Sequence, residues 1–294
     1  METFVGIRTL RVIDEPKDVA FPVVVMYPTR VPSAPVTFGP YPMEAALDAP
    51  IDEGSFPLVV ISHGSGGYPL LYRTIGAYLA RHGYVVALPE HPGNNRDDNA
   101  LNGTVENLVN RPRHIRLTID AVSAEAHFKN RVQPDTTAVI GHSMGGYTAL
   151  AVAGGRPWTE KGEKVAVEPD GRVKALVLLA PATAWFMPED ALSKVNIPIL
   201  LLVAEHDPFT PRWQGELVLD GVPDRSRVTY RVIENAGHFS FLSPFPRAMR
   251  STKFPPSVDP EGFDREKFHV ELNAEVLAFL DRALRGLRSG GSGA

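Results

Sequence analysis

The stretch Thr137-Ala-Val-Ile-Gly-His-Ser-Met-Gly-Gly-Tyr147 carries most of the information about the fold. An apolar, β-like run ends at Gly141, and an alanine-rich helix is predicted to begin just after Ser143. Gly-x-Ser-x-Gly at a strand-to-helix turn places the serine on a tight, strained bend with its hydroxyl exposed. The helix N-terminus behind the bend favours negative charge there. The stretch therefore predicts a nucleophile at Ser143.

The glycines of this turn have a steric reason, since larger side chains at Gly141 and Gly145 would collide where strand and helix meet. A five-position pattern also arises by chance, but its place between VIG and GGYTALAVA favours the functional interpretation. We interpret His142, inside the turn, as a packing residue that points away from the nucleophile.

A second glycine-rich turn, His63-Gly-Ser-Gly-Gly67, follows the apolar run PLVVIS. An oxyanion loop is expected after such an earlier central strand. A tetrahedral intermediate needs two preorganised N–H donors, and losing one typically costs about 3 kcal/mol in barrier. We predict the backbone N–H groups of Ser65 and Met144 as these donors. A plain glycine turn is the alternative.

The base and its orienting acid are sought later in the chain, because a serine nucleophile needs both. Of the nine histidines, only His238 comes after the nucleophile and the acid in the chain, lies in a loop that follows a β-rich run, and has a glycine directly before it. Glu205 and Asp207 both follow the buried run ILLLVA, and Asp207 lies further past its end. Ligand sites of open α/β sheets gather at such strand ends. We predict His238 as the base and Asp207 as the acid.

Apolar β-branched runs alternate with amphipathic stretches, which predicts an α/β fold with a mostly parallel sheet and helices on both faces. The expected strands cover residues 4–13, 21–27, 58–62, 84–88, 136–140, 173–179, 198–203 and 228–232. The expected helices cover residues 71–82, 113–127, 145–153, 213–219 and 266–288. The first two strands lack a long crossover, which predicts an antiparallel edge.

Three segments are expected to be irregular: 28–56, 92–110 and the proline-rich 240–263. The segment 154–171 has room for a small cap and no more. No shift in composition marks a second domain, so residues 1–288 are expected to form one domain. The remaining residues, 289–294, are expected to be a flexible linker or a cloning remnant.

Composition excludes several classes of protein. The formal net charge is −4 without a basic cluster, so no nucleic-acid surface is expected. The absence of cysteine excludes disulfides, a thiolate nucleophile and Cys-based zinc sites. The N-terminus lacks the features of a signal peptide, and no apolar run reaches the ~18 residues of a membrane span. A cytoplasmic location is therefore expected, and the sequence does not indicate an oligomeric state.

The segments GHSMGG, ISHGSGG, LLVAEHDPFTP and NAGHFSF together resemble the α/β-hydrolase superfamily over nearly the whole chain. Within it, the stretch from VMYPT to ALPEHPGNN resembles the predicted dienelactone-hydrolase group, which is related to platelet-activating-factor acetylhydrolase-type esterases. The resemblance implies an eight-stranded core sheet and hydrolysis of carboxylic esters without a metal or other cofactor.

The chain departs from both groups. Dienelactone hydrolases use a cysteine nucleophile, whereas position 143 is serine. The acetylhydrolases place the acid after the preceding strand, but here that strand leads into Ala180-Pro-Ala-Thr-Ala-Trp185, without a carboxylate before Glu189. Asp207 therefore keeps the predicted role.

The expected partner is a small-molecule ester. Aromatic residues near the predicted site indicate a pocket for apolar or aromatic esters, lactones among them. For each of these aromatic residues, ordinary packing in the core is the alternative role. They are Tyr68, Tyr72, Trp185, Phe186, Phe209, Phe239 and Phe241. An amidase or peptidase with the same triad, a haloperoxidase-like side activity and a catalytically silent scaffold remain alternatives.

Overall fold

A computed structural model describes residues 2–286 and contains ten strands there. The strands are β1 (Phe4–Asp14), β2 (Val19–Thr29), β3 (Ala34–Phe38), β4 (Tyr41–Leu47), β5 (Phe56–Ser62), β6 (Val85–Pro89), β7 (Val132–His142), β8 (Val173–Leu179), β9 (Ile199–Ala204) and β10 (Val228–Ile233). The α-helices are α1 (Arg73–Arg81), α2 (Val105–Ala124), α3 (Met144–Val152), α4 (Trp213–Gly221) and α5 (Arg265–Leu280).

The strands form one sheet in the order β10-β9-β8-β7-β5-β6-β2-β1-β4-β3. All neighbours from β10 to β6 are parallel, and β2 pairs antiparallel with both β6 and β1. A mostly parallel sheet with an antiparallel beginning is thus confirmed. Because β5, β7, β9 and β10 are parallel, the loops after them emerge at one edge of the sheet.

The expectation of eight strands is wrong, because a hairpin lies in the segment that was expected to be irregular. Strands β3 and β4 pair antiparallel around a turn at Gly39 and Pro40, where Gly39 has a φ of 58°. β4 then pairs in parallel with β1. Pro35 and Pro42 concealed these strands, but proline is tolerated near a sheet edge, where ladder hydrogen bonds are not all needed.

Helix α2 begins earlier than expected, inside the segment 92–110. The Thr104 side chain caps it by accepting a hydrogen bond from the Asn107 N–H at 3.1 Å. Its first turns are polar, which hid the periodicity. Asn107, Asn110 and Arg111 are nevertheless buried, and the Asn107 and Arg111 side chains donate to Asn94 Oδ1. The segment 240–263 contains only short 3-10 turns among its prolines, as expected.

Two apolar clusters cover the two faces of the sheet. One contains residues of α1 and α5, and the other contains residues of α2, α3 and α4, which confirms helices on both faces. The segment 154–171 packs on the second cluster through Val165 and Trp158. No helix within residues 2–286 combines the length and hydropathy that a membrane crossing needs. The tail expected at 289–294 lies outside the described residues.

Candidate active site

Ser143 lies on the turn between β7 and α3, with φ 54° and ψ −120°. A Cβ atom added at Gly141 would lie 2.1 Å from the carbonyl oxygen of Gly145, and one added at Gly145 would lie 2.0 Å from that of Ser62. Strand and helix can approach this closely only without those side chains. The strained serine conformation is the geometry that the Gly-x-Ser-x-Gly pattern predicts.

His238 and Asp207 form a buried pair, with 2.7 Å between Nδ1 and Oδ2. Asp207 also accepts hydrogen bonds from the Phe209 and Thr210 N–H groups, at 2.8 and 2.9 Å. Burial by itself would raise the pKa of Asp207, but the hydrogen bonds from His238 and Thr210 outweigh it and lower that pKa. Since Nδ1–H donates to the carboxylate, Nε2 is left to accept a proton.

Glu205, the other carboxylate considered, points elsewhere. Its Oε2 atom accepts a hydrogen bond from the Asn235 N–H at 2.7 Å, and 48% of its side chain is exposed. The structure therefore brings Asp207, and not Glu205, to the histidine.

Ser143 and His238 line one cavity of about 440 Å³, together with Gly64 and Ser65. Within the described chain no hydrogen bond joins the Ser143 hydroxyl to His238. Such bonds are often long before substrate binds and tighten in the complex. The sequence-predicted nucleophile and base thus share a cavity at the carboxyl ends of β7 and β10.

The turn after β5 lies directly against the nucleophile, since a Cβ atom at Gly64 would be 3.2 Å from that of Ser143. The Gly64 N–H donates to the Tyr72 hydroxyl at 3.2 Å, and the Gly67 N–H donates to the Gly64 carbonyl at 3.1 Å. Among residues 2–286 the N–H groups of Ser65 and Met144 have no such partner. These two donors remain available to an oxyanion.

His142 does not point away from the nucleophile, contrary to the expectation. It lines the cavity beside Ser143. Its Nδ1 atom lies 2.9 Å from the Tyr72 hydroxyl, and its Nε2 atom lies 2.9 Å from the carbonyl oxygen of His238. Because a carbonyl only accepts, Nε2 carries the hydrogen and Nδ1 accepts from Tyr72. Burial, first, and the nearby His238 lower the pKa of His142 to about 3.

A buried polar cluster supports the turn from behind, and sequence reasoning missed it. The Arg111 guanidinium donates to the His63 carbonyl and, at 2.6 Å, to Asn94 Oδ1. Asn94 Nδ2 in turn donates to Ser65 Oγ at 2.8 Å. Burial lowers the pKa of Arg111 to about 9. The signal was the polar stretch around Asn107 and Arg111, whose burial only the packing reveals.

Three histidines surround this cluster. His91 Nδ1 lies 3.2 Å from His114 Nδ1, and the His91 N–H donates to His63 Nε2 at 3.1 Å. Burial, with the Arg111 charge as the next cause, lowers the pKa of His63 and of His114 to about 3 and that of His91 well below its usual value. All three are therefore neutral at physiological pH.

The cavity wall is largely aromatic and apolar. Of the predicted pocket residues, Tyr68, Tyr72, Phe209 and Phe239 line it. Several lining residues were not expected, and most of them come from the hairpin β3–β4, from the loop at Arg96 and from the segment 240–263: Pro40, Tyr41, Leu71, Arg96, Leu242, Met249, Phe254 and Pro256. The segment 240–263 thus forms part of the wall, whereas 154–171 contributes nothing to it.

Three predicted pocket residues lie elsewhere. Trp185 and Phe186 pack on Tyr147 of α3, with ring centroids 5.1 and 5.5 Å apart, on the face of the sheet opposite α1 and α5. Phe241 is fully buried against Phe268 of α5. Their aromatic character serves the core. No group of histidine and carboxylate side chains suited to a metal ion occurs in the described part of the chain.

Comparison with known proteins agrees with this architecture. A family model described as the alpha/beta hydrolase fold matches residues 57–195. The solved structure of a ferulic acid esterase from Streptomyces cinnamoneus superposes with a TM-score of 0.71, covers 96% of this chain and 90% of its own, and is 23% identical. The chain has the α/β-hydrolase fold. Within this fold, the turn at Ser143 and the loops after β5, β9 and β10 lie at the edge of the sheet where ligand sites are found.

Several sequence relatives are named as hydrolases or cutinases. A bis(hydroxyethyl) terephthalate hydrolase from Streptomyces coelicolor is 26% identical over 189 residues, which are 64% of this chain and 52% of that protein. A cutinase from Thermobifida alba is 25% identical over 65% of this chain and 56% of its own length. A platelet-activating factor acetylhydrolase from Canis lupus familiaris is 26% identical over 70% and 54%. The chain thus spans little more than half of each relative.

Proposed function

We propose that this protein is a serine hydrolase that cleaves carboxylic esters through an acyl-enzyme on Ser143. One observation carries the proposal: a serine on a strained turn, a histidine held by a buried carboxylate and Ser65 line one largely apolar cavity, and the N–H of Met144, which directly follows the serine, is unpaired like that of Ser65. The esterase names of the relatives support the same reaction class.

In the proposed mechanism, His238 Nε2 takes the proton of the Ser143 hydroxyl as the oxygen attacks the ester carbonyl. The carbonyl oxygen becomes an oxyanion that the N–H groups of Ser65 and Met144 stabilise. Protonated His238 then gives its proton to the departing alcohol. Water, activated by the same histidine, releases the acid from Ser143. Asp207 keeps the imidazole in the required tautomer and stabilises its transient charge.

The apolar wall favours substrates with apolar or aromatic groups, because transfer of such groups from water is favourable. Two relatives are named cutinase and bis(hydroxyethyl) terephthalate hydrolase, and these names agree with a preference for apolar or aromatic esters. A panel of esters with varied acyl length, lactones included, tests this preference.

The central experiment compares the wild type with Ser143→Ala and with Ser226→Ala, a matched change at an exposed serine outside the cavity. We expect Ser143→Ala to abolish hydrolysis of p-nitrophenyl acetate and labelling by a fluorophosphonate probe, with an unchanged circular dichroism spectrum. Ser226→Ala retains both. Hydrolysis by a folded Ser143→Ala protein would contradict the assignment.

Two other outcomes decide between alternatives. A wild-type protein that neither turns over esters nor reacts with the probe would be a silent scaffold. A wild-type protein that hydrolyses an amide as fast as the matched ester would be an amidase. No amine-binding carboxylate lines the cavity within residues 2–286, and this favours the ester.

A further inference from the structure

The cavity beside Ser143 contains one charged side chain, that of Arg96. No Asp, Glu or Lys, and no other Arg, lines it within residues 2–286. An otherwise apolar cavity would reject an ionised group, because desolvating a charge without a partner is costly. A single cation in such a wall changes which substrates can enter.

The backbone of Arg96 is attached to the turn Gly64–Gly67, which carries the proposed oxyanion donor Ser65. The Arg96 N–H donates to the Gly67 carbonyl at 2.9 Å, and Gly67 and Asn95 form an isolated parallel bridge. Asn95 is itself buried, and its Nδ2 atom donates to the His91 carbonyl at 2.9 Å. The turn from Gly64 to Gly67 has four residues, and its first and last Cα atoms are at most about 11 Å apart. Arg96 is therefore held at a defined place relative to Ser143.

The guanidinium is oriented by aromatic rings. Its Cζ atom lies 3.7 Å from the centroid of the Tyr68 ring, Tyr68 stacks on Tyr41 with centroids 6.0 Å apart, and the Arg73 guanidinium covers Tyr41 at 5.1 Å. Stacking uses the face of the guanidinium and leaves the N–H groups at its edge to make hydrogen bonds.

One neighbour uses part of that edge, since Asp97 Oδ2 accepts a hydrogen bond from Arg96 Nε at 3.2 Å. An arginine has five N–H donors, so donors remain for a bidentate contact. The Asp97 side chain is 69% exposed and that of Arg96 41%, and an ion pair this exposed is weak. Asp97 therefore does not neutralise the site.

We infer that Arg96 forms a carboxylate subsite, and that the enzyme prefers esters with a second, ionised carboxylate beyond an apolar or aromatic spacer. Half-esters of aromatic dicarboxylic acids and esters of hydroxybenzoic acids belong to this class. The inference rests on the proposed esterase function. The guanidinium pairs with the carboxylate while the aromatic wall covers the spacer.

The test uses substrates that differ by one charge and almost nothing else. For the acyl side, the methyl half-ester of benzene-1,4-dicarboxylic acid is compared with methyl 4-carbamoylbenzoate. For the alcohol side, 4-acetoxybenzoate is compared with 4-acetoxybenzamide. The readout is the ratio of kcat/KM for the acid to kcat/KM for the amide. Taking a ratio removes any general effect of a variant on folding or on the wall.

We expect the wild-type ratio to exceed 1 for at least one pair, and Arg96→Gln to lower it about ten- to hundredfold, the usual value of a charge-assisted contact. Asp97→Asn should raise the ratio, because it removes the competing carboxylate. Arg212→Gln, at an exposed arginine outside the cavity, should leave it unchanged. The Arg96 effect should appear mainly in KM and shrink at high salt.

The outcomes separate the two proposals. If neutral esters are hydrolysed at Ser143 but Arg96→Gln changes neither ratio, the subsite is disproved and the esterase assignment stands. An equal loss on acid and amide would show that Arg96 only supports the aromatic wall, which also overturns the inference. If the wild type hydrolyses none of the four esters and does not label, the proposed function itself fails.

Discussion

His142 Nε2 lies 2.9 Å from the carbonyl oxygen of His238, so the residue before the nucleophile is hydrogen-bonded to the residue proposed as its base. On its other side His142 meets the Tyr72 hydroxyl, which accepts the Gly64 N–H. One buried line of hydrogen bonds thus joins the turn after β5, the turn at Ser143 and the loop that carries His238. These hydrogen bonds fix the relative positions of three segments that are distant in sequence.

The first prediction concerns this line. His142→Phe preserves a ring but removes both hydrogen bonds, and we expect kcat to fall about tenfold or more because each lost buried bond costs roughly 1–3 kcal/mol. His142→Gln, which can still donate to the carbonyl, should retain more of the rate. KM should change little. Equal kcat values for the two variants would show that the bond to His238 does not position the base.

The second prediction separates the two carboxylates after β9. Asp207→Asn should reduce kcat by about 10⁴-fold, because the amide stabilises the wrong imidazole tautomer. Glu205→Gln removes the matched charge two residues away, and should leave kcat within about twofold, since Glu205 is half-exposed and contacts the Asn235 N–H and the His206 imidazole. Steady-state kinetics on p-nitrophenyl acetate measure both. A greater loss in the Glu205 variant would reverse the assignment.

The third prediction tests the close approach at the nucleophile turn. Gly145→Ala would put a Cβ atom 2.0 Å from the Ser62 carbonyl oxygen, where only backbone movement can relieve the clash. We expect a loss of about 3 kcal/mol in the free energy of unfolding, at the upper end for overpacking, and a loss of activity. Gly171→Ala is the control, because its Cβ atom would meet nothing within 4 Å. Urea titration of both variants decides the matter.

The fourth prediction concerns acid stability. Burial is the main cause that lowers the pKa of His63, His114 and His142 to about 3 in the folded protein, against 6.5 as the ordinary value. As the pH falls below about 6.5, these histidines become protonated in the unfolded chain but stay neutral in the folded chain. Stability is therefore full above pH 6.5 and falls progressively towards pH 3, by up to about 1.4 kcal/mol per pH unit for each histidine.

Urea midpoints at pH 7.5, 6.5 and 5.5 measure this loss. His114→Gln should flatten the dependence by removing one buried titrating group, although it lowers stability at neutral pH. His82→Gln is the control, because His82 is exposed. A midpoint that stays constant from pH 7.5 to 5.5 in the wild type would show that these histidines do not control acid stability.

Much of the site could be predicted from sequence because its signals are local. The glycines around Ser143 indicate a close approach between consecutive elements. The apolar run before Asp207 and the β-rich run before His238 indicate strands whose ends meet at one edge of a parallel sheet. The roles predicted for Ser143, His238 and Asp207 follow from chain order and strand ends. Whether they catalyse is decided by the experiments above.

The tertiary structure alone decided how distant segments meet. It shows that His142 contacts the His238 carbonyl, that Arg111 is buried behind the turn Gly64–Gly67, and that Tyr41 and Arg96 line the cavity. It also shows that Trp185 and Phe186 pack in the core. These facts depend on long-range packing, in which a polar or aromatic residue is equally compatible with core, surface or site. Backbone constraints are local and can be read from neighbours, whereas the surroundings of a side chain are set by residues far away in the chain.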